Sequence, residues 1–121
     1  MKTLAFVLVA ALLSTALYVS APLEAPAGWP DGICVVEFNA GFNSQNSVSW
    51  IEELSDCESL RVDISKSPDL QREHKIVVVP TLVIFNDGEE ENRFQANIMM
   101  AMEATEEEVQ DAVDEILMSS F

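Results

Sequence analysis

Basic residues are scarce in this chain of 121 residues, which has six lysines and arginines against 21 aspartates and glutamates and a net charge of -15. A nucleic-acid-binding protein needs a basic face to contact phosphates, and so few basic residues cannot build one. Nucleic acid is therefore not expected as a partner. The acidity is uneven, because eleven carboxylates lie from Asp87 onward, where Arg93 is the only basic residue.

Histidine and cysteine are also scarce, since His74, Cys34 and Cys57 are the only such residues in the chain. His74 has no second histidine or cysteine at metal-ligand spacing, so no metal site and no cofactor are predicted. We expect its side chain to be solvated at the end of a helix.

The longest hydrophobic run, Leu4 to Val19, follows a positively charged start and precedes the small residues Ala25-Pro26-Ala27. This pattern predicts a signal peptide over residues 1–27 and a secreted protein, or one in the lumen of the secretory pathway or the periplasm. Cleavage after Ala21 also fits, but it would leave Pro22 at the new terminus, so cleavage after Ala27 is preferred.

An uncleaved membrane anchor is the alternative interpretation of the same run. It is shorter than the ~20 residues that usually span a bilayer, and Ser14 and Thr15 interrupt it. Export is therefore favoured, and a membrane is expected as a partner only if the segment stays uncleaved.

Residues 28–121 are predicted to form one small domain, for which a hydrophobic content of 49% is ample. Ile33 to Asn39 has the length of a strand, and Leu60 to Ile64 alternates as a second strand. A helix is predicted between them from about Ser44 to Ser55, because apolar residues recur on one face. These residues are Val48, Ile51 and Leu54.

The second half of the domain adds a short helix, a hairpin and a long helix. Ser67-Pro68 supplies an N-cap and a first-turn proline for a helix that ends near His74. Two strands, Thr81 to Phe85 and Glu91 to Gln95, flank Asn-Asp-Gly, which is a strong hairpin signal. The last helix begins at Thr105, which can form a capping box with Glu108. Its predicted buried stripe is Val109, Ala112, Val113, Ile116 and Leu117.

Two motifs in this pattern resemble the thioredoxin-like superfamily over roughly residues 33–118. The first strand ends in Glu37-Phe38-Asn39-Ala40, and Phe42 precedes Asn43-Ser44-Gln45-Asn46, where the family has an aromatic residue before Cys-x-x-C. Val79-Pro80-Thr81 is similar to the family's Ile/Val-Pro-Thr, in which the proline is cis. The resemblance implies an α/β thioredoxin fold, in its minimal βαβαββα form, with a central mixed four-stranded sheet flanked by helices.

Asparagine stands where the family has both catalytic cysteines, and a carboxamide neither ionises to a nucleophile nor changes oxidation state. The resemblance therefore implies a redox-inactive member that is not an enzyme, with Asn43, Ser44, Gln45 and Asn46 as degenerate active-site positions. Asn43 is expected to cap the following helix. The alternative is that the two asparagines hydrogen-bond a ligand or a client backbone.

Glu37 is also a degenerate active-site position, because it matches the buried acid that handles the proton of the resolving cysteine in relatives. Its place in an apolar strand is expected to disfavour the charged form. A hydrogen bond from its protonated carboxyl to Asn46, or to a buried water, is one interpretation, and a catalytic acid is the other.

The family pairs an extended client peptide with backbone beside the cis-proline, and this pairing needs no sulfur. The resemblance implies that Pro80 turns the backbone of Val79 outward beside Phe42. Apolar residues in the connection to the last helix, where the family borders its client groove, are Ile98, Met99, Met100 and Met102. The alternative is that they pack under that helix. The predicted client-binding residues are Phe42, Val79, Pro80, Ile98, Met99 and Met100.

In the family the first two strands are parallel neighbours, so Cys34 and Cys57 are expected near each other, opposite the active-site loop. A structural disulfide would suit an exported protein. Two buried free thiols are the alternative.

The leading hypothesis is an exported, non-catalytic module that binds extended apolar peptides or proteins, similar to the non-catalytic domains of protein disulfide isomerases. Low-affinity calcium binding is an alternative, because Glu89 to Glu91 and Glu106 to Glu108 resemble the dense carboxylates of calsequestrin, although no EF-hand spacing is present. A simply solvated acidic face is favoured over calcium binding. A third hypothesis is a redox accessory role. The edge strand at residues 60–64 allows a homodimer.

Overall fold

The computed structural model describes residues 29–121, in which four strands form one sheet. These strands are β1 (Ile33–Asn39), β2 (Glu58–Asp63), β3 (Thr81–Asn86) and β4 (Glu89–Gln95), in the order β2-β1-β3-β4. β1 and β2 are parallel, whereas β1 and β3, and β3 and β4, are antiparallel. The prediction of a mixed four-stranded sheet is confirmed. The predicted signal peptide at residues 1–27 lies outside the described residues.

Two α-helices follow the predicted order, α1 (Pro68–Glu73) before β3 and α2 (Glu106–Ser119) at the end of the chain. Thr105 caps α2 by accepting a hydrogen bond from the N–H of Glu108 at 3.2 Å, as its capping box predicts. Pro68 occupies the first turn of α1, although Ser67 makes no side-chain cap. None of the helices in residues 29–121 has the length and apolar character that crossing a bilayer requires.

The sheet separates two hydrophobic cores, because successive residues of its central strands point to opposite faces. The core on the α1 side contains Val36, Phe38, Val83 and Phe85, and Leu70 of α1 packs against it. The core on the α2 side contains Val35, Leu82, Ile84, Val109 and Val113. Both faces of β1 and β3 are therefore covered, which explains their continuous apolar sequences.

The hairpin and the edge strand also follow the sequence. Asp87 and Gly88 join β3 to β4 with positive φ angles of 51° and 86°, the conformation that the Asn-Asp-Gly signal favours. β2 pairs with β1 on one side only within residues 29–121, so it is an edge strand of the described sheet. A homodimer through this edge stays a prediction.

The long helix predicted from Ser44 to Ser55 does not form. The chain instead makes two short 3-10 helices, Gly41–Asn46 and Ile51–Glu53, and Ser47 between them has an extended ψ of 141°. Serine and asparagine side chains compete with helical hydrogen bonds, and this segment has four serines and Asn46. The predicted apolar face is nevertheless buried in the α2-side core through Val48, Ile51 and Leu54.

Tertiary hydrogen bonds engage the backbone N–H and carbonyl of Val48, which a continuous helix would need for its own hydrogen bonds. The N–H of Val48 donates to Glu37 Oε2 at 2.6 Å, and the Val48 carbonyl accepts from Arg61 Nη2 at 2.7 Å. The buried side chain of Glu37 on β1 and the more exposed side chain of Arg61 on β2 thus replace the helical partners of Val48. Sequence periodicity detects the buried face of this segment but not these two hydrogen bonds.

The expected disulfide between Cys34 and Cys57 is absent, and both thiols are free. The parallel register places Cys34 opposite Glu58, so Cys57 is displaced from it by one residue. Neighbouring residues of an extended chain point to opposite faces. Cys34 accordingly lies in the α1-side core, and Cys57 contacts the α2-side core.

His74 is not the solvated residue that its position at a helix end predicts. Its ring stacks on Trp29 at a centroid distance of 5.4 Å and meets Phe85 edge-on at 5.3 Å. Its Nε2 atom is buried and has no hydrogen-bond partner within residues 29–121. Burial lowers the pKa of His74, since the charged imidazolium would be poorly solvated there.

Candidate functional site

A groove opens where three connecting segments meet at one end of the sheet. They are residues 40–46 after β1, residues 76–80 before β3, and residues 96–104 between β4 and α2. The peptide bond between Val79 and Pro80 is cis, as the family resemblance implies. The cavity has a volume of about 420 Å³, and its lining is mostly apolar. Lining residues from the three segments include Ala40, Phe42, Ile76, Val77, Ile98 and Met100.

Exposed apolar side chains concentrate at this groove. Residues 29–121 contain seven large hydrophobic residues with exposed side chains, and five of them line the groove or adjoin its lining: Phe42, Val77, Ile98, Met99 and Met100. Ile98 is 98% exposed, so it contributes nothing to the core. A contiguous exposed apolar patch of this kind is typical of a binding surface.

The structure therefore brings Phe42, Ile98 and Met100 together at one groove, with Met99 beside them. Met102 behaves differently, because it packs against the α2-side core. The alternative that these residues pack under the last helix thus holds for Met102. It does not hold for Ile98 or Met99, whose side chains are exposed.

Val77 is a groove residue that the sequence analysis did not identify. It is 79% exposed, although it belongs to a continuous apolar run before Pro80. Ile76 and Val79 of the same run are buried in the α1-side core. The sequence signal for an exposed residue here is the run of four branched apolar residues at 76–79, which lies outside any predicted strand. Not every side chain of such a run can enter the core.

Val79 does not present its backbone as the family resemblance implies. The residue is only 6% exposed, and its carbonyl oxygen accepts a hydrogen bond from Asn43 Nδ2 at 3.4 Å. Pro80 beside it is buried as well. The expectation of an outward-facing Val79 is therefore wrong, because the residue packs in the α1-side core.

Asn43 lies at the centre of a carboxamide cluster, which we define as the buried Asn39 and Asn43 and the partly exposed Asn46. Asn43 is 1% exposed, and its Nδ2 donates to the Met100 carbonyl at 3.1 Å and to Asn39 Oδ1 at 3.2 Å. Its Oδ1 accepts from Asn46 Nδ2 at 3.0 Å. Its Nδ2 also lies 3.4 Å from the Val79 carbonyl, so two N–H groups are shared among three acceptors. This one side chain thus contacts all three segments that form the groove.

These contacts correct both predictions for Asn43. Its side-chain oxygen caps no helix, because it is occupied by Asn46 and the 3-10 helix has no side-chain cap. A bound client cannot reach it either, since it is buried and its polar atoms already have partners within the domain. Asn39 was missed as a site residue, although a polar residue ending an apolar strand was a visible signal.

Glu37 forms a second cluster, the charged cluster, with Arg61 and Glu52. Glu37 is 2% exposed, and its carboxylate accepts from Arg61 Nη1 at 2.7 Å and from Ser47 Oγ at 2.8 Å. The N–H of Val48 also donates to this carboxylate, so Glu37 is the acceptor in every one of these contacts. The expected hydrogen bond from a protonated Glu37 to Asn46 is not formed, because the Glu37 oxygens accept from Arg61, Ser47 and Val48 instead.

Arg61 has no remaining donor for a ligand. Its five N–H groups are directed at Glu37, Glu52, Ser47 and the Val48 carbonyl. The hydrogen bond from Arg61 lowers the pKa of the Glu52 carboxyl, and the same bond raises the pKa of Arg61. The charged cluster is therefore a closed unit that holds the chain after the first 3-10 helix.

Neither cysteine has the lowered pKa of a reactive thiol. Burial raises the pKa of Cys34 to about 11, and burial also raises the pKa of Cys57. Both thiols thus stay protonated near neutral pH, whereas a reactive cysteine is a thiolate. Neither residue lines the groove.

Carboxylates in the described part of the chain form no metal centre. Within residues 29–121, no group of three or more histidine, cysteine, aspartate or glutamate side chains is placed to hold an ion. Calcium binding by the acidic segments at residues 89–91 and 106–108 remains a prediction that no contact favours.

No protein-family model and no curated protein matches this sequence. Solved structures do match, and a mutant thioredoxin from Halobacterium salinarum NRC-1 aligns with a TM-score of 0.59 and 21% identity, over 70% of this chain and 74% of the other. The chain has a thioredoxin fold.

Two other thioredoxins support the same conclusion. Thioredoxin from Schistosoma mansoni has a TM-score of 0.57 and 19% identity, over 77% of this chain and 91% of its own. Thioredoxin-2, described as a component of the malaria parasite's protein secretion machinery, has a TM-score of 0.59 and 13% identity, over 79% and 97% of the two chains. At identities this low, the structural similarity establishes the fold alone, and the function has to be argued from the site.

Proposed function

We propose that this chain is a non-catalytic thioredoxin-fold module that binds an extended, mostly apolar segment of a peptide or protein client in the groove beside Pro80. The observation that carries the proposal is the concentration of exposed apolar residues there, including Phe42, Val77 and Ile98. Burying one such side chain stabilises a complex by about 1.5–3 kcal/mol. Three of them together contribute about 4.5–9 kcal/mol before the cost of association is subtracted.

The groove suits clients of varied sequence. Its floor is formed by buried core residues such as Ala40 and Ile76, whereas Met99 and Met100 lie at its exposed side. Methionine side chains are flexible and polarizable, so they adapt to differently shaped apolar partners. The geometry favours broad apolar recognition over a single small ligand.

The absence of redox chemistry is part of the proposal. Asn43 stands at the position of the family's nucleophilic cysteine and is held by hydrogen bonds to Met100 and Asn39. Both real thiols have raised pKa values and lie away from the groove. We also propose export, on the strength of the signal-peptide pattern in residues 1–27.

Insulin reduction tests the redox half of the proposal. We expect no dithiol-dependent turnover from the wild-type domain, with an ordinary thioredoxin as the positive control. A Cys34→Ser, Cys57→Ser double variant should behave identically. Turnover by the wild type that persists in the double variant would contradict the assignment of Asn43 and Asn46 as chemically inert.

Peptide binding tests the recognition half. The probe is a fluorescent seven-residue peptide that alternates serine and leucine, with fluorescence anisotropy as the measurement. Phe42→Ala combined with Ile98→Ala should weaken binding by about 3 kcal/mol, or roughly a hundredfold, because two exposed anchors are lost.

Two methionines provide a matched control for this experiment. Met99 beside the groove is 74% exposed, and Met118 on α2 is 75% exposed, so both substitutions to alanine remove equally accessible apolar surface. Met99→Ala should weaken binding, and Met118→Ala should leave it unchanged. Equal effects would mean that the probe binds apolar surface without regard to the groove.

A further inference from the structure

Backbone hydrogen bonding differs sharply among the residues that precede Pro80. The Val79 carbonyl accepts from Asn43, and the Val78 carbonyl accepts from Thr81 Oγ1 at 2.7 Å. Val77 has neither restraint. Within residues 29–121, its N–H donates no hydrogen bond and its carbonyl accepts none.

Val77 is also the accessible member of this segment. It is 79% exposed and lines the groove, whereas Val79 is 6% exposed and belongs to the α1-side core. An N–H and a carbonyl on one accessible residue are the two groups that an antiparallel strand pair uses. Only Val77 combines both free groups with exposure among the residues 76–79.

We propose that the client backbone pairs with Val77, two residues before the position beside the cis-proline. This inference rests on the proposed peptide-binding function and specifies its geometry. Val79 itself is excluded by its burial in the α1-side core, where it is 6% exposed. One client residue then exchanges two hydrogen bonds with Val77.

This pairing also specifies the class of client. Successive side chains of an extended strand point to opposite sides, so only every second client residue can enter the groove. The groove is apolar on the side of Ile98 and Met100, whereas the other side of the client stays in water. The preferred client is therefore a segment in which apolar and polar residues alternate.

Amide hydrogen exchange by NMR tests the pairing directly on the wild-type domain. Addition of the serine–leucine peptide should slow exchange of the Val77 N–H at least tenfold and leave the Val79 N–H unchanged. The same peptide with its central amide N-methylated should bind about tenfold more weakly. A peptide of the same composition with its leucines grouped together should also bind more weakly.

A variant pair provides a second measurement. Val77→Pro removes the N–H, and Val77→Ala retains it, so the proline variant should lose about tenfold more affinity than the alanine variant. Protection of Val79 with Val77 unaffected, together with equal affinities of the two variants, would overturn this inference alone. Failure of the wild type to bind any of the peptides would overturn the proposed function and this inference with it.

Discussion

The charged cluster and the carboxamide cluster lie at the same end of β1 but secure different halves of the chain that follows it. The charged cluster binds Ser47 and Val48 through Glu37 and Arg61. The carboxamide cluster binds the cis-proline segment and the connection to α2 through Asn43. One fixes a segment against the sheet, and the other fixes the walls of the groove.

The two clusters replace hydrogen bonds that local structure does not supply. Where a helix would satisfy the backbone of Val48, an ion pair does so instead. Where the thioredoxin-like motif would have cysteine, the neutral amide of Asn43 joins three segments. Buried polar groups need partners in either case, and a cluster in which all members are bonded becomes a rigid unit.

Removal of Arg61 should give the largest effect on stability. Arg61→Ala leaves the Glu37 carboxylate at 2% exposure without its ion-pair partner, and it frees the Val48 carbonyl. We expect a loss of about 3 kcal/mol in the free energy of unfolding, measured by urea denaturation.

An exposed ion pair on α1 provides the control for this prediction. Arg72 contacts Asp69 with side chains 73% and 86% exposed, so Arg72→Ala should cost less than about 0.5 kcal/mol. Equal losses from the two arginine variants would show that the charged cluster is no more important than a surface pair.

Asn43→Ala should have the next largest effect on stability and should distinguish the roles of the two clusters. It leaves the Met100 carbonyl and Asn39 Oδ1 without their donor, which we expect to cost about 2 kcal/mol by urea denaturation. Peptide affinity should fall as well, because the groove walls lose their common anchor. Arg61→Ala should change affinity much less in the fraction that remains folded.

Asn46→Ala is the matched control within the carboxamide cluster. Asn46 is partly exposed and donates one bond to Asn43, so its loss should cost no more than about 1 kcal/mol. If Asn46→Ala were as damaging as Asn43→Ala, the central role of Asn43 would be contradicted.

His74 contrasts with both clusters, because its Nε2 atom is buried with no partner among residues 29–121. Its folded-state pKa is lowered by burial, and the charges of Glu73, Arg93 and Glu90 act on it with opposing signs. The unfolded chain therefore binds more protons at mildly acidic pH. Stability should fall as pH decreases through the unfolded value of 6.5 toward the lower folded pKa.

His74→Phe keeps an aromatic ring against Trp29 and removes this titration. The difference in unfolding free energy between wild type and variant, measured from pH 7.5 to 5, isolates the histidine from the shared carboxylates. We expect the wild type to lose more stability on acidification than the variant. Parallel curves would show that His74 does not titrate differently in the two states.

Local sequence determined most of the framework. The strand at Ile33–Asn39, the Asp87-Gly88 turn and the Thr105 cap follow from short-range rules of apolar length, positive φ preference and capping. Two motifs located the site, because Phe42 and the Val79-Pro80 segment do meet at one groove. These features depend on residues close together in the chain, so a sequence displays them directly.

Only the tertiary structure decided what long-range partners do with individual polar groups. The apolar spacing from Val48 to Leu54 could not show that Glu37 and Arg61 would break the helix, nor could position alone show that Trp29 would cover His74. The register of β2 separated the cysteines, and Asn43 reached Val79 across 36 residues of sequence. Hydrogen bonds and burial depend on which residues folding brings into contact. For residues far apart in the chain, residue type and spacing do not specify these contacts.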